Sequence, residues 1–450
     1  MTDVGGARVG VQVWSGALSG WGRHPVVVAR QRRSEDLEAI TDGAVLSRGL
    51  GRAYGDAALP PPGDGELAVT TAADALRSFD PDTGLLRAQA GVSLAQLNRV
   101  FWHRGWSVPS SPGTQCVTLG GMVASDVHGK SHHTEGCFGA NVVRLRLRVA
   151  DGRIVETSET EEPELFRATL GGMGLTGHIL EVTCRLRRVP SAWVWAESEG
   201  YPDLGAVIDA LRAAAADWPH TLAWIDLLGR GGARGRGVVE RGRWALPEEA
   251  PPGPPVGKRG VSVPVDLPLI SGATMRLANI GRYWLLRRRR RGIVHPESFF
   301  YPLDIVGRLN RLYGRRGFTQ YQAVLPAPAG AAECDRLFDI MTRHGAIPLL
   351  CVLKDFGPEG RGMLTFPKAG LSVAVDLPIT DRTQAAVDAM NDHVAAEGGR
   401  VYLAKDTLTR AEHFRAMEPR LDDWLRVRRA WDTEGRLRSA LSVRLFGDST

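Results

Sequence analysis

The residues best suited to chemistry are concentrated in one segment, residues 110–141, which reads SSPGTQCVTLGGMVASDVHGKSHHTEGCFGAN. It contains six glycines, three histidines and one lysine. Glycine leaves main-chain N–H groups unshielded and tolerates positive φ angles, so such a segment can approach phosphates or a flat ring closely. The imidazole and ammonium groups between the glycines can donate hydrogen bonds to that ligand. The segment is therefore predicted to be a ligand-binding loop.

Lysine is scarce in this chain, and its few positions are informative. Five of the 56 basic residues are lysines, and the others are all arginines. Arginine cannot lose its proton in a protein, whereas the pKa of a lysine shifts readily on burial. Lys130, Lys354 and Lys405 lie in motif-like contexts, while Lys258 and Lys368 lie in or beside proline-containing loops. The first three are candidates for proton transfer or anion binding, with codon bias as the alternative explanation.

Glycine clusters again at residues 49–55 and 171–177. The second cluster contains G-x-G-x-x-G, but it follows a helical pattern and precedes a strand pattern, which is the reverse of the order in a Rossmann dinucleotide site. The chain contains no Walker lysine motif, G-x-S-x-G or H-E-x-x-H, so the hydrolase and zinc-protease classes lose their usual motifs. Separated glycine loops can wrap an extended dinucleotide and supply main-chain donors to its diphosphate.

No metal site is expected from His128, His132 and His133, because no acidic or cysteine partner has standard ligand spacing. The five cysteines are odd in number and never in C-x-x-C spacing, which argues against a disulfide framework and a structural zinc site. The sequence shows neither an export leader nor an apolar run of bilayer length. We therefore expect the protein in the cytoplasm.

The elements that must position these groups differ between two parts of the chain. A chain of 450 residues exceeds the size of a single hydrophobic core, so about two domains are expected. In the first part, short strands and helices alternate with glycine turns. Ser93 and Gln96 are predicted to form a capping box at a helix start, and residues 142–155 to form a hairpin.

From about residue 191 the pattern favours an antiparallel sheet covered by helices. The predicted elements are helices at 331–344 and 383–396 and strands at 348–354 and 371–377. Near the C-terminus, residues 401–406 are predicted to form a short strand, and Thr409 with Glu412 to cap the helix that follows.

The net charge of +6 is spread along the chain, so binding to nucleic acid is not expected. One exception to that spread is residues 287–291, five consecutive arginines that follow the apolar residues 283–286. A solvated helix face is the favoured interpretation of this run. Contact with an anionic surface is the alternative.

Several ordered motifs carry a resemblance to a known family. They are GWGR (20–23), RGLGRAYGD (48–56), PGTQCVTLGGMVASDVHGKSHH (112–133), GGMGLTG (171–177), FYPLD (300–304), QYQ (320–322), VLKDFGP (352–358), VAVDLPI (373–379) and YLAKD (402–406). On these residues the chain resembles the FAD-linked oxidases of the vanillyl-alcohol-oxidase type, and within them the decaprenylphosphoryl-β-D-ribose oxidase family. The motifs extend over nearly the whole chain in the same order.

The resemblance implies an α+β fold in which a split FAD-binding domain of the vanillyl-alcohol-oxidase type encloses an inserted substrate domain built on an antiparallel sheet. The implied boundaries are 1–190 and 400–450 for the FAD-binding domain and 191–399 for the substrate domain. Members that attach FAD covalently commonly carry a histidine in the first glycine loop. Because Tyr54 stands in GRAYGD here, the resemblance implies FAD held without a covalent bond.

The resemblance also implies roles for individual residues. Those expected to bind FAD are Gly51, Arg52, Tyr54, Gly55, Gly113, Thr114, Thr118, Gly121, His128 and Gly177. Those expected to contact the substrate are Lys130, Gln320, Gln322, Lys354, Ser372 and Lys405. The catalytic candidates are Lys405, Lys130, Tyr54 and His128. Lys405 is the expected proton acceptor, with anchoring of flavin or phosphate as its alternative role.

The implied reaction is FAD-dependent oxidation of the ribose 2-hydroxyl in a polyprenyl-phosphoryl sugar, giving a keto sugar. A separate NAD(P)H-dependent reductase would complete an epimerisation to arabinose for cell-wall arabinan, with peripheral contact at the membrane face. Relatives usually carry Asn and Cys where this chain has Ser372 and Ala374, which leaves other substrates open. The alternatives are an alditol or aldonolactone oxidase and a paralogous oxidase that tailors another sugar or nucleoside.

Overall fold

Three sheets organise the residues that the computed structural model describes, namely 10–63, 65–253, 255, 257 and 260–449. Lys258 and the first nine residues lie outside the described residues. The structure mixes helices with antiparallel sheets, as the sequence predicts. No helix within the described ranges is long and apolar enough to cross a lipid bilayer.

The first sheet has the strand order β1-β2-β4-β3. Its strands are β1 (Gln12–Ser19), β2 (Val26–Arg33), β3 (Leu46–Arg48) and β4 (Glu66–Val69). β1 and β2 are antiparallel, whereas β4 lies parallel to both β2 and β3. Residues 49–55, called the first glycine loop, follow the end of β3, so this small sheet positions the loop.

The second sheet is antiparallel and has the order β5-β6-β10-β8-β9. Its strands are β5 (Leu76–Asp80), β6 (Leu85–Gln89), β8 (Val142–Arg148), β9 (Ile154–Thr157) and β10 (His178–Arg185), while β7 (Trp106–Ser107) pairs with β11 (Arg187–Arg188). The helices of this part are α1 (Leu37–Thr41), α2 (Leu94–Phe101), α3 (Leu119–Ala124), α4 (His132–Glu135) and α5 (Pro163–Thr169). The capping box between Ser93 and Gln96 and the hairpin of β8 and β9 are confirmed.

The third sheet is antiparallel throughout and has the order β16-β12-β14-β13-β19-β20-β18-β21. Its strands are β12 (Val194–Tyr201), β13 (His220–Ile225), β14 (Gly237–Trp244), β16 (Arg290–Val294), β18 (Phe318–Pro326), β19 (Cys351–Phe356), β20 (Gly370–Pro378) and β21 (Arg400–Val401), and β15 (Val261–Ser262) pairs with β17 (Val306–Gly307) apart from it. The helices of this part are α6 (Leu204–Asp217), α7 (Gly272–Leu286), α8 (Pro296–Phe300), α9 (Ala331–Arg343) and α10 (Thr383–Ala396). The predicted helix-covered antiparallel sheet is confirmed.

Residues alternate between the two faces of the third sheet, because successive side chains of a strand point to opposite sides. On β18, Tyr321 and Ala323 join a buried apolar cluster with residues of α6, α9 and α10. Gln320 and Gln322, which alternate with them, lie at the wall of a cavity. The sheet therefore has one apolar face under helices and one polar face toward the cavity.

The C-terminal helices return toward the start of the chain. They are α11 (Ala411–Met417), α12 (Leu421–Trp431) and α13 (Ala440–Phe446). The Trp424 indole N–H donates to the Ala168 carbonyl at 2.9 Å, and the Arg444 guanidinium pairs with Asp56 at 2.8 Å. The last helices are thus fixed to the part of the chain that contains the glycine loops.

The predicted strand at 401–406 is wrong beyond Val401. The Tyr402 N–H still donates to the Gln322 carbonyl, but the N–H groups of Lys405 and Asp406 both turn back to the Tyr402 carbonyl. Tyr402, Leu403 and Ala404 are all buried because the turn lies between other elements, and a buried turn has the same apolar composition as a strand. We call residues 402–406 the lysine turn.

The predicted cap at Thr409 is also wrong. Helix α11 begins at Ala411 after Arg410, without a side-chain cap hydrogen bond. The Thr409 hydroxyl instead accepts a hydrogen bond from the Asn391 amide at 3.1 Å, because it is buried against α10.

The arginine run is not a helix face. Helix α7 ends at Leu286, Arg287 follows as its C-cap, and Arg290 already belongs to β16, opposite Ser198 of β12. Consecutive arginines would repel one another at the i, i+4 spacing of a helix. A paired strand at the sheet edge separates their side chains.

Candidate active site

A cavity of about 390 Å³ lies between the glycine loops and the polar face of the third sheet. Most of the predicted site residues lie at its wall. They are Gly51, Arg52, Tyr54, Gly113, Thr114, Thr118, Gly121, His128, Lys130, Gly177, Gln320, Gln322, Lys354 and Lys405. Two others, Gly55 and Ser372, do not line it.

The first glycine loop is held between two other motifs. The Gly22 N–H donates to the Tyr54 carbonyl at 2.9 Å, and the Tyr54 N–H donates to the Ala404 carbonyl of the lysine turn at 2.8 Å. Gly55 is packed behind this loop, where a Cβ would lie 2.1 Å from the Asp406 carbonyl oxygen. Its role is therefore close packing rather than contact with the cavity.

The glycine-rich segment of residues 110–141, called the second glycine loop from here on, is fixed by a helix cap and by a carboxylate. The Thr118 hydroxyl accepts a hydrogen bond from the Gly121 N–H at the start of α3. Asp304 accepts two hydrogen bonds, from the Thr114 hydroxyl at 2.7 Å and the Gln115 N–H at 2.8 Å. At Gly113, a Cβ would meet no atom within 4 Å, so the main chain there has an open side.

His128 is buried with one ring nitrogen satisfied and one not. Its Nε2 lies 2.9 Å from the Gln322 amide nitrogen, which also donates to the Ser372 hydroxyl at 3.0 Å. Burial, followed by the charge of Lys354, holds the pKa of His128 well below its usual value. A neutral ring that accepts at Nε2 carries its proton at Nδ1. That Nδ1 is buried and has no hydrogen-bond partner among the described residues.

Ser372 therefore acts behind the cavity wall. It lies on β20 opposite Lys354, is almost fully buried, and accepts the hydrogen bond that orients Gln322. Ala374, two residues along the same face, does line the cavity. Ser372 itself does not line the cavity, and its expected contact with the substrate stays a prediction.

Lys405 projects from the lysine turn over the ring of Tyr54, with its Nζ 3.8 Å from the ring centroid. Burial lowers the pKa of Lys405 to about 7; Asp376 raises it and the charge of Lys354 lowers it further. Burial also raises the pKa of Tyr54 well above its usual value, so its hydroxyl stays protonated at neutral pH. An ammonium whose pKa lies near neutrality can lose and regain its proton under physiological conditions.

The other two lysines at the cavity differ in their partners. Lys354 lies on β19, and burial together with the charge of Lys130 lowers its pKa to about 8. Lys130 pairs with Glu240 at 3.1 Å, and its Nζ lies 4.0 Å from the centroid of the Phe299 ring. Burial raises the pKa of Glu240, but Lys130 and Arg282 lower it, and the net shift is downward.

Asp376 also belongs to the site, although neither the motifs nor the composition indicated it. It is buried on β20, lines the cavity, and accepts hydrogen bonds at 2.5 Å from Tyr313 and from Gln320. Burial raises its pKa, although these hydrogen bonds and Lys405 lower it. The available signal was an aspartate inside the apolar run VAVDLPI, because an acidic residue on a buried strand is rare without a partner.

Two of the histidines join loops rather than face a metal. His132 Nδ1 accepts a hydrogen bond from the Gly357 N–H at 3.2 Å, and His133 Nε2 bonds the Trp218 carbonyl at 2.7 Å. No group of three His, Cys, Asp or Glu side chains with metal-binding geometry occurs in the described part of the chain.

The cavity wall fits a ligand with a flat ring and an anionic chain. His128 Nδ1 and Arg52 Nε are both buried donors without a hydrogen-bond partner in the described part of the chain, and an unpaired buried donor costs about 1–3 kcal/mol. Acceptor atoms of a bound ligand would satisfy them. The open side of Gly113 and the donors of the glycine loops suit the ring and the diphosphate of a dinucleotide.

Residues 39–158 match the family model of an FAD binding domain. The chain is 36% identical to the decaprenylphosphoryl-beta-D-ribose oxidase of Mycolicibacterium smegmatis, over 95% of this chain and 97% of that protein. An uncharacterised protein of Streptomyces coelicolor is 33% identical over 79% of this chain and 100% of its own length. A putative D-arabinono-1,4-lactone oxidase of Neurospora crassa is 34% identical over only 26% of this chain and 21% of its own.

Proposed function

This chain belongs to the decaprenylphosphoryl-β-D-ribose oxidase family, and from that premise we propose that it oxidises the ribose 2-hydroxyl of a polyprenyl-phosphoryl ribose to a keto sugar. The protein is an FAD-dependent oxidoreductase that acts on a CH–OH group. The keto product is a substrate for a separate NAD(P)H-dependent reductase, which completes an epimerisation to arabinose. The observation that carries the proposal is Lys405, with a pKa of about 7, at the wall of a glycine-lined cavity.

The chain's own residues support a split FAD-binding domain. The first two sheets and the C-terminal helices form its two parts, held together by Trp424 on Ala168 and by Arg444 on Asp56. The third sheet forms the inserted substrate domain. Because β21 still pairs with β18, the return to the FAD-binding domain starts after Val401, two residues later than the boundary implied by the motifs.

The residues at the wall divide by chemistry. The main chain of the first and second glycine loops, together with Arg52, would hold the diphosphate, and His128 Nδ1 would donate to the ring system. When bound, FAD supplies the hydride acceptor of the reaction. Its attachment is non-covalent, because Tyr54 stands in the first glycine loop, where members with covalent FAD commonly carry a histidine. The Tyr54 ring packs against Lys405 and Phe318. Acid precipitation of the purified protein should therefore leave the yellow colour in the supernatant.

Lys405 accepts the proton of the substrate hydroxyl as the adjacent carbon is oxidised. At neutral pH a large fraction of Lys405 is the free amine, because burial and the neighbouring Lys354 disfavour its charged form. Asp376 opposes this effect and keeps the pKa close to neutrality rather than far below it. The protonated amine then lies next to Tyr54 and Asp376, which stabilise its charge.

Lys354 and Lys130 supply positive charge for the phosphate of the substrate, and Gln320 and Gln322 supply amide groups for the sugar hydroxyls. Gln322 is oriented by Ser372 and Gln320 by Asp376, so each amide has a fixed direction. A pocket of this charge favours an anionic sugar over a neutral polyol.

Anaerobic titration of the yellow protein tests the function. Polyprenyl-phosphoryl ribose should bleach the flavin absorbance stoichiometrically and give a 2-keto sugar, identified by borohydride trapping and mass spectrometry. Free alditols and aldonolactones, the substrates of the alternative function, should leave the absorbance unchanged. Bleaching by a free polyol but not by the phosphoryl sugar would reject the proposal.

A further inference from the structure

Helix α7 has an apolar face that is turned away from the protein. Leu277, Trp284 and Leu285 are 71%, 54% and 61% exposed, and Ile280 lies between them on the same side. Counted from Leu277, the other three lie three, seven and eight residues further on, which places all four in one stripe of the helix. Exposed apolar patches of this kind mark binding surfaces in soluble proteins.

The opposite side of α7 is attached to the protein and reaches the cavity. The Asn279 amide donates to Asp226 at 3.1 Å, and Arg276 Nε donates to the Leu228 carbonyl at 2.9 Å. Arg282 lines the cavity, with its guanidinium 5.0 Å from the centroid of the Trp224 ring. Helix α7 is thus a wall of the cavity, and its apolar stripe is the outside of that wall.

Exposed apolar residues also occur in the segment before α7 and at the edge of the cavity. Leu267 and Leu269, which precede α7, are exposed, and so are Leu303 and Ile305. Leu303 also lines the cavity, so exposed apolar surface reaches the cavity itself. A ligand with a long hydrocarbon tail would leave the cavity across such a surface.

Positive charge borders the stripe. Arg287, Arg288, Arg290 and Arg291 are exposed and form no ion pair with any residue the structure describes, whereas Arg289 pairs with Glu197 at 2.9 Å. The Arg287 guanidinium lies 3.9 Å from the centroid of the Trp284 ring. Arginine and tryptophan beside exposed leucines are the composition of a surface that lies in a membrane interface, where the rings enter the headgroup layer and the charges meet anionic lipid.

We propose that the α7 surface, defined as Leu277, Ile280, Trp284, Leu285 and the arginines 287, 288, 290 and 291, docks this protein on an anionic lipid bilayer and places the cavity next to its lipid-linked substrate. The inference rests on the proposed function, which supplies the reason for contact with lipid. A nucleic acid would engage the arginines but leave the apolar stripe uncovered. A second copy of the chain, paired through the same surface by two-fold symmetry, would bring two arginine clusters together.

Sedimentation of the FAD-loaded protein with vesicles tests the docking. Vesicles of phosphatidylcholine and phosphatidylglycerol (roughly 7:3) should retain the protein, vesicles of phosphatidylcholine alone should retain far less, and salt should weaken the binding. Replacing the four arginines of the α7 surface by glutamine should weaken binding on the order of 1,000-fold, since each contributes roughly 1 kcal/mol near an anionic surface and about 1.4 kcal/mol corresponds to tenfold. The triple variant L277S/W284S/L285S should lose a similar factor.

A matched control has the same change of charge elsewhere. The control replaces four other exposed arginines by glutamine: Arg99 on α2, Arg104 just after α2, Arg185 on β10 and Arg429 on α12. This variant should bind vesicles within about two-fold of the parent. Equal retention of parent, arginine variant and serine variant would overturn the proposal. So would a dimer that the serine variant dissociates, or binding of the parent to duplex DNA that exceeds its binding to vesicles.

Activity separates this proposal from the function on which it rests. A water-soluble, short-chain phosphoryl ribose should bleach the flavin equally fast in the parent and both surface variants, because no altered residue lines the cavity. The long-chain substrate in anionic vesicles should be oxidised about 10-fold or more slowly by the variants. If the short-chain compound bleaches none of the three proteins, the proposed function fails. If both variants oxidise the long-chain substrate in vesicles as fast as the parent does, the docking surface alone is contradicted.

Discussion

Lys405 combines a pKa of about 7 with a position on the cavity wall, and this combination makes a pH-dependent prediction. Below pH 7 the amine is protonated and cannot accept the hydroxyl proton. The rate constant of flavin reduction should therefore rise with pH, reach half its maximum near pH 7, and stay level above about pH 8. Stopped-flow absorbance under anaerobic conditions, between pH 5.5 and 9, measures this profile. A flat profile would contradict a base with this pKa.

Substitution of Lys405 separates a base from an anchor. Arginine keeps the positive charge but stays protonated, so Lys405→Arg should retain FAD and bind substrate while flavin reduction slows by a factor of about 10² to 10⁴. Lys405→Met should show the same loss. If Lys405 only anchors flavin or phosphate, the arginine variant should keep most of its reduction rate and only the methionine variant should fail.

Asp376 should set the midpoint of the same profile. Its charge raises the pKa of Lys405, so Asp376→Asn should lower that pKa and move the rising limb of the profile to lower pH. The readout is the midpoint rather than the maximal rate, because loss of the hydrogen bond from Gln320 can also reduce the latter. Asp335→Asn, a similar change on the exposed side of α9, should leave the midpoint unchanged. If the midpoint stays the same in Asp376→Asn, the charge of Asp376 does not set the pKa of the base.

At the level of residues, composition indicated the cations of the site but not the carboxylate that balances their charge. The rarity of lysine pointed to Lys130, Lys354 and Lys405, and all three lie at the cavity. Asp376 could not be found in this way, because aspartate is common and its importance comes from strand register, which places it opposite Gln320. Motif similarity likewise could not separate Tyr54, at the wall, from Gly55 behind it.

At the level of elements, the lysine turn depends on its close packing with the first glycine loop. A Cβ at residue 55 would lie 2.1 Å from the Asp406 carbonyl oxygen, so Gly55→Ala must displace the turn that carries Lys405. Such overpacking costs about 1–3 kcal/mol. We expect a loss of this size in the free energy of unfolding from urea titration, together with weaker FAD retention on gel filtration.

The control for this change is Gly16→Ala in β1. A Cβ there would meet no atom within 4 Å, so stability should change by less than about 0.5 kcal/mol and FAD should stay bound. Equal behaviour of the two variants would show that the packing of Gly55 does not position the turn.

Sequence patterns predicted the regular elements well and the irregular ones poorly. Helix α10 and the antiparallel strands β19 and β20 follow clear periodicities, because each has one apolar face over a long enough run. The lysine turn and the arginine run have no such periodicity. Their structures are decided by what surrounds them, which is Gln322 and the first glycine loop for the turn and β12 for the arginines.

At the scale of the whole molecule, the cavity exists because distant parts of the chain meet. The glycine loops come from the first two sheets, Lys354 and Asp376 from the third, and Lys405 from the segment that leads into the C-terminal helices. Motif order indicated that these segments belong to one site. The sequence could not supply the pairing of strands, since each pairing depends on contacts between residues far apart in the chain.

Arg444 joins three of these parts, and its removal should destabilise the whole molecule. Its guanidinium pairs at 2.8 Å with Asp56 after the first glycine loop and at 2.8 Å with Asp406 in the lysine turn. Both carboxylates are at least 94% buried, so Arg444→Met would leave two buried charges without their cation. Loss of one partner from a buried ion pair costs about 3–5 kcal/mol. Urea unfolding, followed by flavin and tryptophan fluorescence together, should show a loss of that size.

The C-terminal helices offer a matched control in the ion pair between Arg426 and Glu164, which links the same parts of the chain. Its side chains are 57% and 62% exposed, so Arg426→Met should cost less than about 1 kcal/mol. Because Arg444 also holds the turn that carries Lys405, its loss should release FAD at a lower urea concentration than Arg426→Met does. If the two variants unfold and release FAD together, the C-terminal helices do not stabilise the site through Arg444. The site would then depend on the sheets alone.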